Sequence, residues 1–213
     1  MVRVRLDDRL LYRPGQAAQI GPASGQVLVP YSIASAPEDT ARDGSLEFLI
    51  RLDSNARWGE EFDPLRRGQQ LRVKGPIGGF AFPERPAEHR FLFIAGGTGI
   101  SPIRSMIRHV RASVPGRTRL LYSARTPLDF AYRRELCGMA RRGEIDVLLT
   151  ATRDVPASWR GGRGRISKAQ LAGLVDDPAT LCFVCGPASM VDEVPRMLRE
   201  LGIDKTRIRI EEW

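Results

Sequence analysis

The sequence predicts two domains in series: an antiparallel β-barrel over residues 1–86, then an α/β domain on a five-stranded parallel sheet over residues 87–213. Two changes of grammar predict it. The first half consists of short β-type runs broken by glycine and proline clusters, with no helical period longer than a turn or two. The second half alternates near-continuous apolar runs with amphipathic helices, the pattern of a parallel sheet covered on both faces. A polar, proline-bearing connector, "FPERPAEHR" at residues 82–90, separates the two.

In chain order, the barrel strands are expected in "VRVRL" (2–6), "AAQI" (17–20), "QVLVPYSIAS" (26–35), "LEFLIRL" (46–52) and "QQLRVKGP" (69–76). The spacers "RPG", "GPASG", "PEDTARDG" and "RRG" read as turns. In the second half "RFLFIA" (90–95) is a buried strand, and the helix after it places Ile103, Met106, Ile107 and Val110 on one face. "RTRLLYSA" (117–124) is the next strand, and "PLDFAYRRELCGMARRG" (127–143) reads as a helix ended by glycine. Then come the strand "IDVLLTAT", the short helix "SKAQLAGLV", the strand "TLCFVCG", the helix "ASMVDEVPRMLRELG" and the last strand "RIRIEEW". Pro195 is expected to kink that late helix or begin it afresh.

An apolar share of 42% with 27% charged residues suits a soluble globular chain, and no apolar run approaches the ~20 residues that span a bilayer. The opening residues carry scattered charges and no apolar signal core, and three cysteines form no disulfide framework. Both point to the cytoplasm. The net charge of +8 rests almost wholly on arginine and suits an acidic partner or a phosphate-bearing ligand. The arginines are spread out with no aromatic platform among them, which argues against nucleic acid.

The loop 96–102 leaves a buried strand and enters a helix. Gly97 and Gly99 allow a tight turn and close approach of a ligand, with Ser101 as N-cap and Pro102 as first helical residue. Such a helix start presents free N–H groups and suits a pyrophosphate. Pro102 stands where a dinucleotide fingerprint has a third glycine, so a geometry other than the Rossmann dehydrogenase type is expected. Cys182 and Cys185 lie three apart on a strand, point to opposite faces, and share neither a metal nor a bond. With only His89 and His109 as histidines, a hydrolytic triad or histidine metal site has little to work with, and no metal is expected.

"RPGQ", "PYSIAS", "GPIGGF", "AGGTGISP", "LLYSART", "VCGPASM" and the terminal "EEW" occur in the order and spacing of one family. Over residues 12–213 the chain resembles the ferredoxin–NADP reductase superfamily. The resemblance implies a barrel that holds FAD, with FMN as an alternative, and a second domain that takes NADPH or NADH. It implies Tyr31 packed on the flavin, Ser32 hydrogen-bonded near its reactive edge, backbone contacts from Ile33, Ala34 and Ser35, and further contacts from Gly75 and Gly78. Gly96, Gly97, Thr98, Gly99 and Pro102 would cradle the nicotinamide nucleotide. Ser123, Arg125 and Arg153 would lie at its adenosine ribose, where two arginines favour a 2′-phosphate and hence NADPH. Cys185, Gly186 and Pro187 would sit beside the nicotinamide. Trp213 would stack on the flavin with Glu211 nearby. Ser32, Cys185 and Glu211 are thus the residues expected at the hydride-transfer site.

The chain departs from the family in three places. Val29 replaces the arginine that pairs with flavin phosphates. Phe62 replaces a hydroxyl three residues after Gly59, leaving Arg51, Arg57 or Arg66 to compensate. The family's first strand is short or missing, so the expectation is either an incomplete barrel or a partner chain that completes its edge. Two readings stay open. One is an enzyme passing electrons from NAD(P)H through flavin to an acidic ferredoxin or flavodoxin-like protein, or to a haem or iron–sulfur acceptor. The other is a non-catalytic, reductase-like nucleotide-binding subunit with lost or weakened flavin binding.

Overall fold

The protein is described by a computed structural model over residues 1–23, 27–50 and 65–212. Its first half forms two small antiparallel sheets. In one, β1 (Val2–Arg5) pairs with β4 (Ser45–Phe48); in the other, β2 (Ala17–Pro22) lies between β3 (Val29–Ser32) and β5 (Leu71–Ile77). An isolated bridge from Ile33 to Phe48 joins them. Alternate residues of these strands point inward, and Val4, Ala18, Ile20, Val29, Ile33, Leu46 and Phe48 make the core between the sheets.

One expectation fails here. The span read as the turn "PEDTARDG" is a helix, α1 (Pro37–Asp43). Pro37 at its first turn needs no N–H partner, and the Asp39 carboxylate accepts from the Ala36 N–H at 3.2 Å. Gly44 ends it in the left-handed region, φ 63°, with its N–H donated to the Thr40 carbonyl at 2.8 Å. Local capping outweighed a composition that reads as turn.

The second half is a parallel sheet in the order β11 (Ile208–Glu212), β10 (Leu181–Gly186), β6 (Arg90–Gly96), β7 (Arg117–Ala124), β8 (Asp146–Ala151), β9 (Gly162–Arg163). It has six strands where five were expected, because the two-residue β9 pairs with Thr150 and Ala151. Helices α2 (Ile100–Ser113) and α3 (Arg133–Arg141) cover one face; α4 (Lys168–Ala172) and α5 (Ala188–Glu200) cover the other. Strand residues alternate between the two cores, so Cys185 faces α2 and Cys182 faces α5, as their spacing requires. On the α2 face Phe93 stacks on Phe183 at 5.3 Å, with Ile103, Met106, Ile107 and Val110 packed against them.

Three boundaries also differ from the reading. Helix α3 begins at Arg133, because Asp129 accepts hydrogen bonds from both the N–H and hydroxyl of Thr126 and holds the preceding stretch in a turn. Helix α5 runs unbroken from Ala188 through Pro195 to Glu200. Helix α2 is entered from a 3₁₀ turn at Gly97–Gly99, so Gly99 rather than Ser101 is the cap. Pro102 still lies in the first turn, where a missing N–H costs nothing.

The chain steps from β6 outward to β7 and β8, then returns to place β10 on the other side of β6. That reversal is the topological switch point of an open parallel sheet, and the cleft at the carboxyl ends of β6 and β10 is where such sheets take ligands. No helix among the described residues is long and apolar enough to cross a membrane.

Candidate active site

The switch point is built from glycines because two strand ends and two helix starts meet there. A Cβ on Gly96 would lie 2.9 Å from Pro187 Cδ, and one on Gly186 would lie 2.2 Å from Met190 Cε. A Cβ on Gly99 would lie 2.3 Å from the Cys185 carbonyl oxygen. Gly99 therefore supplies the close packing of helix start on strand that a third fingerprint glycine would otherwise give. Gly97 turns the chain with φ 53°, and the buried Tyr122 hydroxyl donates to its carbonyl at 3.0 Å. Burial pushes the Tyr122 phenol upward, so it stays a donor.

From this junction a cleft of about 580 Å³ opens along the carboxyl ends of β6, β7, β8 and β10. It is lined by Gly96, Gly97, Ser123, Arg125, Arg153 and Pro187, all expected from the sequence, together with Arg165 and Ser189, which were not. Arg125 and Arg153 are exposed and form no ion pair with a described residue. Arg165 meets Glu193 at 3.5 Å, an exposed pair. Arg165 ends the "RGGRGR" run at residues 160–165, and only the pairing of β9 with β8 brings it to the cleft. Ser189 was visible as a hydroxyl in the first turn of a helix.

Beyond the glycines, Cys185 is buried, and its Sγ donates to Glu211 Oε2 at 3.8 Å, because β10 and β11 pair these residues directly. Burial, then the nearby carboxylate, pushes the Cys185 thiol upward; it is a neutral thiol at neutral pH. Burial also raises Glu211 to about 7, against the thiol hydrogen bond, which lowers it. The pair can therefore hold or release a proton near neutrality.

On the first half, Tyr31 and Ser32 are half-buried on β3, while Ile33, Ala34 and Ser35 are buried in the segment that follows. Two residues of α2 reach this segment: Arg104 donates to the Ala34 carbonyl at 2.7 Å, and the Ser105 hydroxyl donates to the Ser35 carbonyl at 2.7 Å. The "RPGQ" turn lies in the same seam. Gln16 donates to the Gly78 carbonyl at 3.1 Å, and a Cβ on Gly15 would lie 2.6 Å from the Phe80 carbonyl oxygen. Gly78 itself has φ 91° and open space above it; Gly75 packs against Ala18. Val29 is buried in the barrel core opposite Ile20, so it is closed to any phosphate. Trp213, Arg51, Arg57, Gly59 and Phe62 lie outside the described residues.

Residues 2–82 match the oxidoreductase FAD-binding domain family, and residues 93–196 match the oxidoreductase NAD-binding domain family. The chain is 38% identical to ferredoxin–NADP reductase B of Sorangium cellulosum over 203 residues, which cover 89% of this chain and 79% of that protein. It is 34% identical to the glycine betaine monooxygenase reductase subunit of Pseudomonas aeruginosa, over 94% of this chain and 56% of that one. The ferredoxin reductase of carbazole 1,9a-dioxygenase superposes with a TM-score of 0.82 at 28% identity, over 99% of this chain and 63% of its own. The fold and the glycine-lined switch point define a two-domain flavin and pyridine-nucleotide oxidoreductase. The chain belongs to the ferredoxin–NADP reductase superfamily, and its cofactors are FAD and NAD(P)H.

Proposed function

We propose that this chain takes a hydride from NADPH and passes the electrons singly to an acidic ferredoxin- or flavodoxin-like protein, or to a haem or iron–sulfur partner. The flavin half is residues 1–86 and the nucleotide half is residues 87–213. One observation carries this reading: α2 starts at the glycine junction of the nucleotide cleft and hydrogen-bonds the segment after Tyr31 and Ser32. A single rigid element thus links the two ligand-facing segments.

A bound flavin supplies the chemistry, accepting a hydride and releasing electrons one at a time. The residues of the chain bind, orient and shield. Gly96, Gly97, Thr98, Gly99 and Pro102 offer a close backbone and the free N–H groups of a helix start to the nucleotide. Arg125 and Arg153, with Ser123, take the 2′-phosphate, and Arg165 adds to that charge. Cys185, Gly186 and Pro187 wall the nicotinamide end, with Cys185 neutral and packed rather than nucleophilic. Glu211 holds a proton beside it. Tyr31 gives the flavin an aromatic face, Ser32 a donor, Ile33 to Ser35 and Gly75 backbone contacts, Gly78 open approach, and Trp213 a stacking ring. With Val29 closed to phosphate, Arg66, which is exposed and not ion-paired to a described residue, is our choice to meet the flavin phosphates.

The acidic carrier is favoured by the net charge of +8. A groove of about 900 Å³ between β1 and β5 offers Arg3, Arg5, Arg67 and Arg72. Each of those strands pairs on one side only among the described residues, so the groove suits an extended, acidic strand of a partner chain. Free Cys137, Cys182 and Cys185 fit a cytoplasmic setting. Extraction of the purified protein with acid, and mass identification of what is released, tests the reading: FAD supports it. A colourless protein that neither FAD nor FMN restores to yellow refutes it.

A further inference from the structure

We propose that Arg104 is a positioning residue that sets the 33–35 segment, and with it any flavin seated there, at a fixed place relative to the nucleotide loop. Arg104 follows Gly99 by five positions on α2 and is buried, with 7% exposure. Its guanidinium is used on every side. Nη1 donates to the Ala34 carbonyl at 2.7 Å and lies 3.2 Å from Glu47 Oε1, both from the first half. Nε and Nη2 each lie 2.9 Å from Glu135 Oε2, and the ring of Tyr132 stacks 4.3 Å from Cζ, both from the second half.

Stability alone does not account for this arrangement. Desolvating an arginine between two carboxylates contributes little net stability, whereas it specifies one geometry. The geometry specified is that of a peptide plane. The peptide unit is planar, so fixing the Ala34 carbonyl fixes the direction of the Ser35 N–H, which then points away from α2. That N–H makes no hydrogen bond to a described residue. A buried donor left open in this way is available to a ligand acceptor. The next plane is held as firmly: the Ser35 carbonyl accepts from Ser105 at 2.7 Å and from the Tyr12 hydroxyl at 2.9 Å. Arg108, one turn further along α2, ties the same seam to Asp39 of α1 and, at 2.8 Å, to Glu135. A lysine at position 104 would keep the charge between Glu47 and Glu135 but lacks the planar fork that reaches Ala34 and Glu135 together.

The inference rests on the flavin reading above, and the test separates the two. Arg104→Lys is compared with the parent chain by stopped-flow reduction with NADPH at matched flavin occupancy, and by hydrogen exchange in flavin-free protein of Ala34 and Ala36, whose N–H groups donate to the Glu47 carbonyl at 2.7 Å and to Asp39 at 3.2 Å. The expected result is a hydride-transfer rate at least tenfold lower, an NADPH dissociation constant within twofold, and exchange at Ala34 and Ala36 at least tenfold faster. Ser105→Ala, a smaller change, gives the same pattern at lower amplitude and serves if the lysine variant fails to fold. Parent-like transfer and parent-like exchange overturn the inference, even if the melting temperature falls, since that is all a structural ion pair would do. A chain that never binds flavin overturns the flavin reading, and the exchange measurement still decides the role of Arg104.

Discussion

Adding one methyl group at Gly99 tests the switch point most simply. Gly99 has φ −59°, which any residue adopts, so Gly99→Ala carries no backbone strain and its effect is purely steric. The new Cβ would lie 2.3 Å from the Cys185 carbonyl oxygen and 2.7 Å from its carbon. The first distance is more than 1 Å inside the ~3.5 Å optimum for non-bonded atoms. The obstacle is backbone of β10, held between β6 and β11, so no side chain can swing aside. Overpacking of this kind costs ~1–3 kcal/mol or more. For a chain of this size ~3 kcal/mol lowers the melting temperature by ~6–12 °C. Because Gly99 caps α2, the displaced loop should also weaken NADPH at least tenfold by calorimetry. Gly79→Ala is the control: nothing lies within 4 Å of the added methyl, and the change should be neutral or slightly stabilising. A Gly99→Ala protein that melts and binds nucleotide like its parent would refute the packing argument.

Other outcomes follow from the same geometry. Arg125→Ala or Arg153→Ala alone should raise the KM for NADPH ~10–100-fold and leave that for NADH within twofold, since each charge-assisted hydrogen bond contributes ~1.5–3 kcal/mol; equal losses for both nucleotides would remove the 2′-phosphate assignment. Glu211 is raised from 4.5 to about 7, so its contribution to stability is full below its ordinary value and is lost as pH rises through about 7. Glu211→Gln should abolish that slope in melting temperature between those limits, together with any inflection near 7 in the pH–rate profile. For Asp39 the sign reverses. Burial alone would raise it, but hydrogen bonds from Arg108 hold it at about 2, so its contribution is present above its ordinary value of 3.8 and is lost as pH falls through about 2. Asp39→Asn should therefore lower stability at neutral pH and flatten its acid dependence. An acidic carrier strand docked between β1 and β5 should slow amide exchange at Arg3, Arg5 and Leu71, whose N–H groups face away from β4 and β2, and should be displaced by salt; unchanged exchange at saturation would place the carrier elsewhere.

The strands were legible because apolar period and turn residues agree along most of the chain. The motifs that carry the family resemblance were legible because they sit where backbone sterics leave little choice: Gly15 against Phe80, Gly96 against Pro187, Gly99 against Cys185. Helix α1 was not, since its residues favour turns and only the cap by Asp39 and the left-handed Gly44 decide for helix. Strand β9 was not, because two residues carry no period, and Arg165 was missed with it. The seam was invisible for a different reason. Arg104 meets Ala34, 70 positions away, and Arg108 meets Asp39 across 69, and no local pattern announces such pairs. A buried arginine on a helix face reads from sequence as a solvated charge.

The central claim is that the β half presents a flavin to a pyridine nucleotide delivered by the α/β half. Anaerobic titration of the purified holoprotein with NADPH, followed by its visible absorbance, tests this most directly. One equivalent of NADPH per flavin should bleach the yellow colour completely, and a ferredoxin-type acceptor should restore it. Colour that survives excess NADPH and excess NADH, in protein that binds both cofactors, would contradict the account.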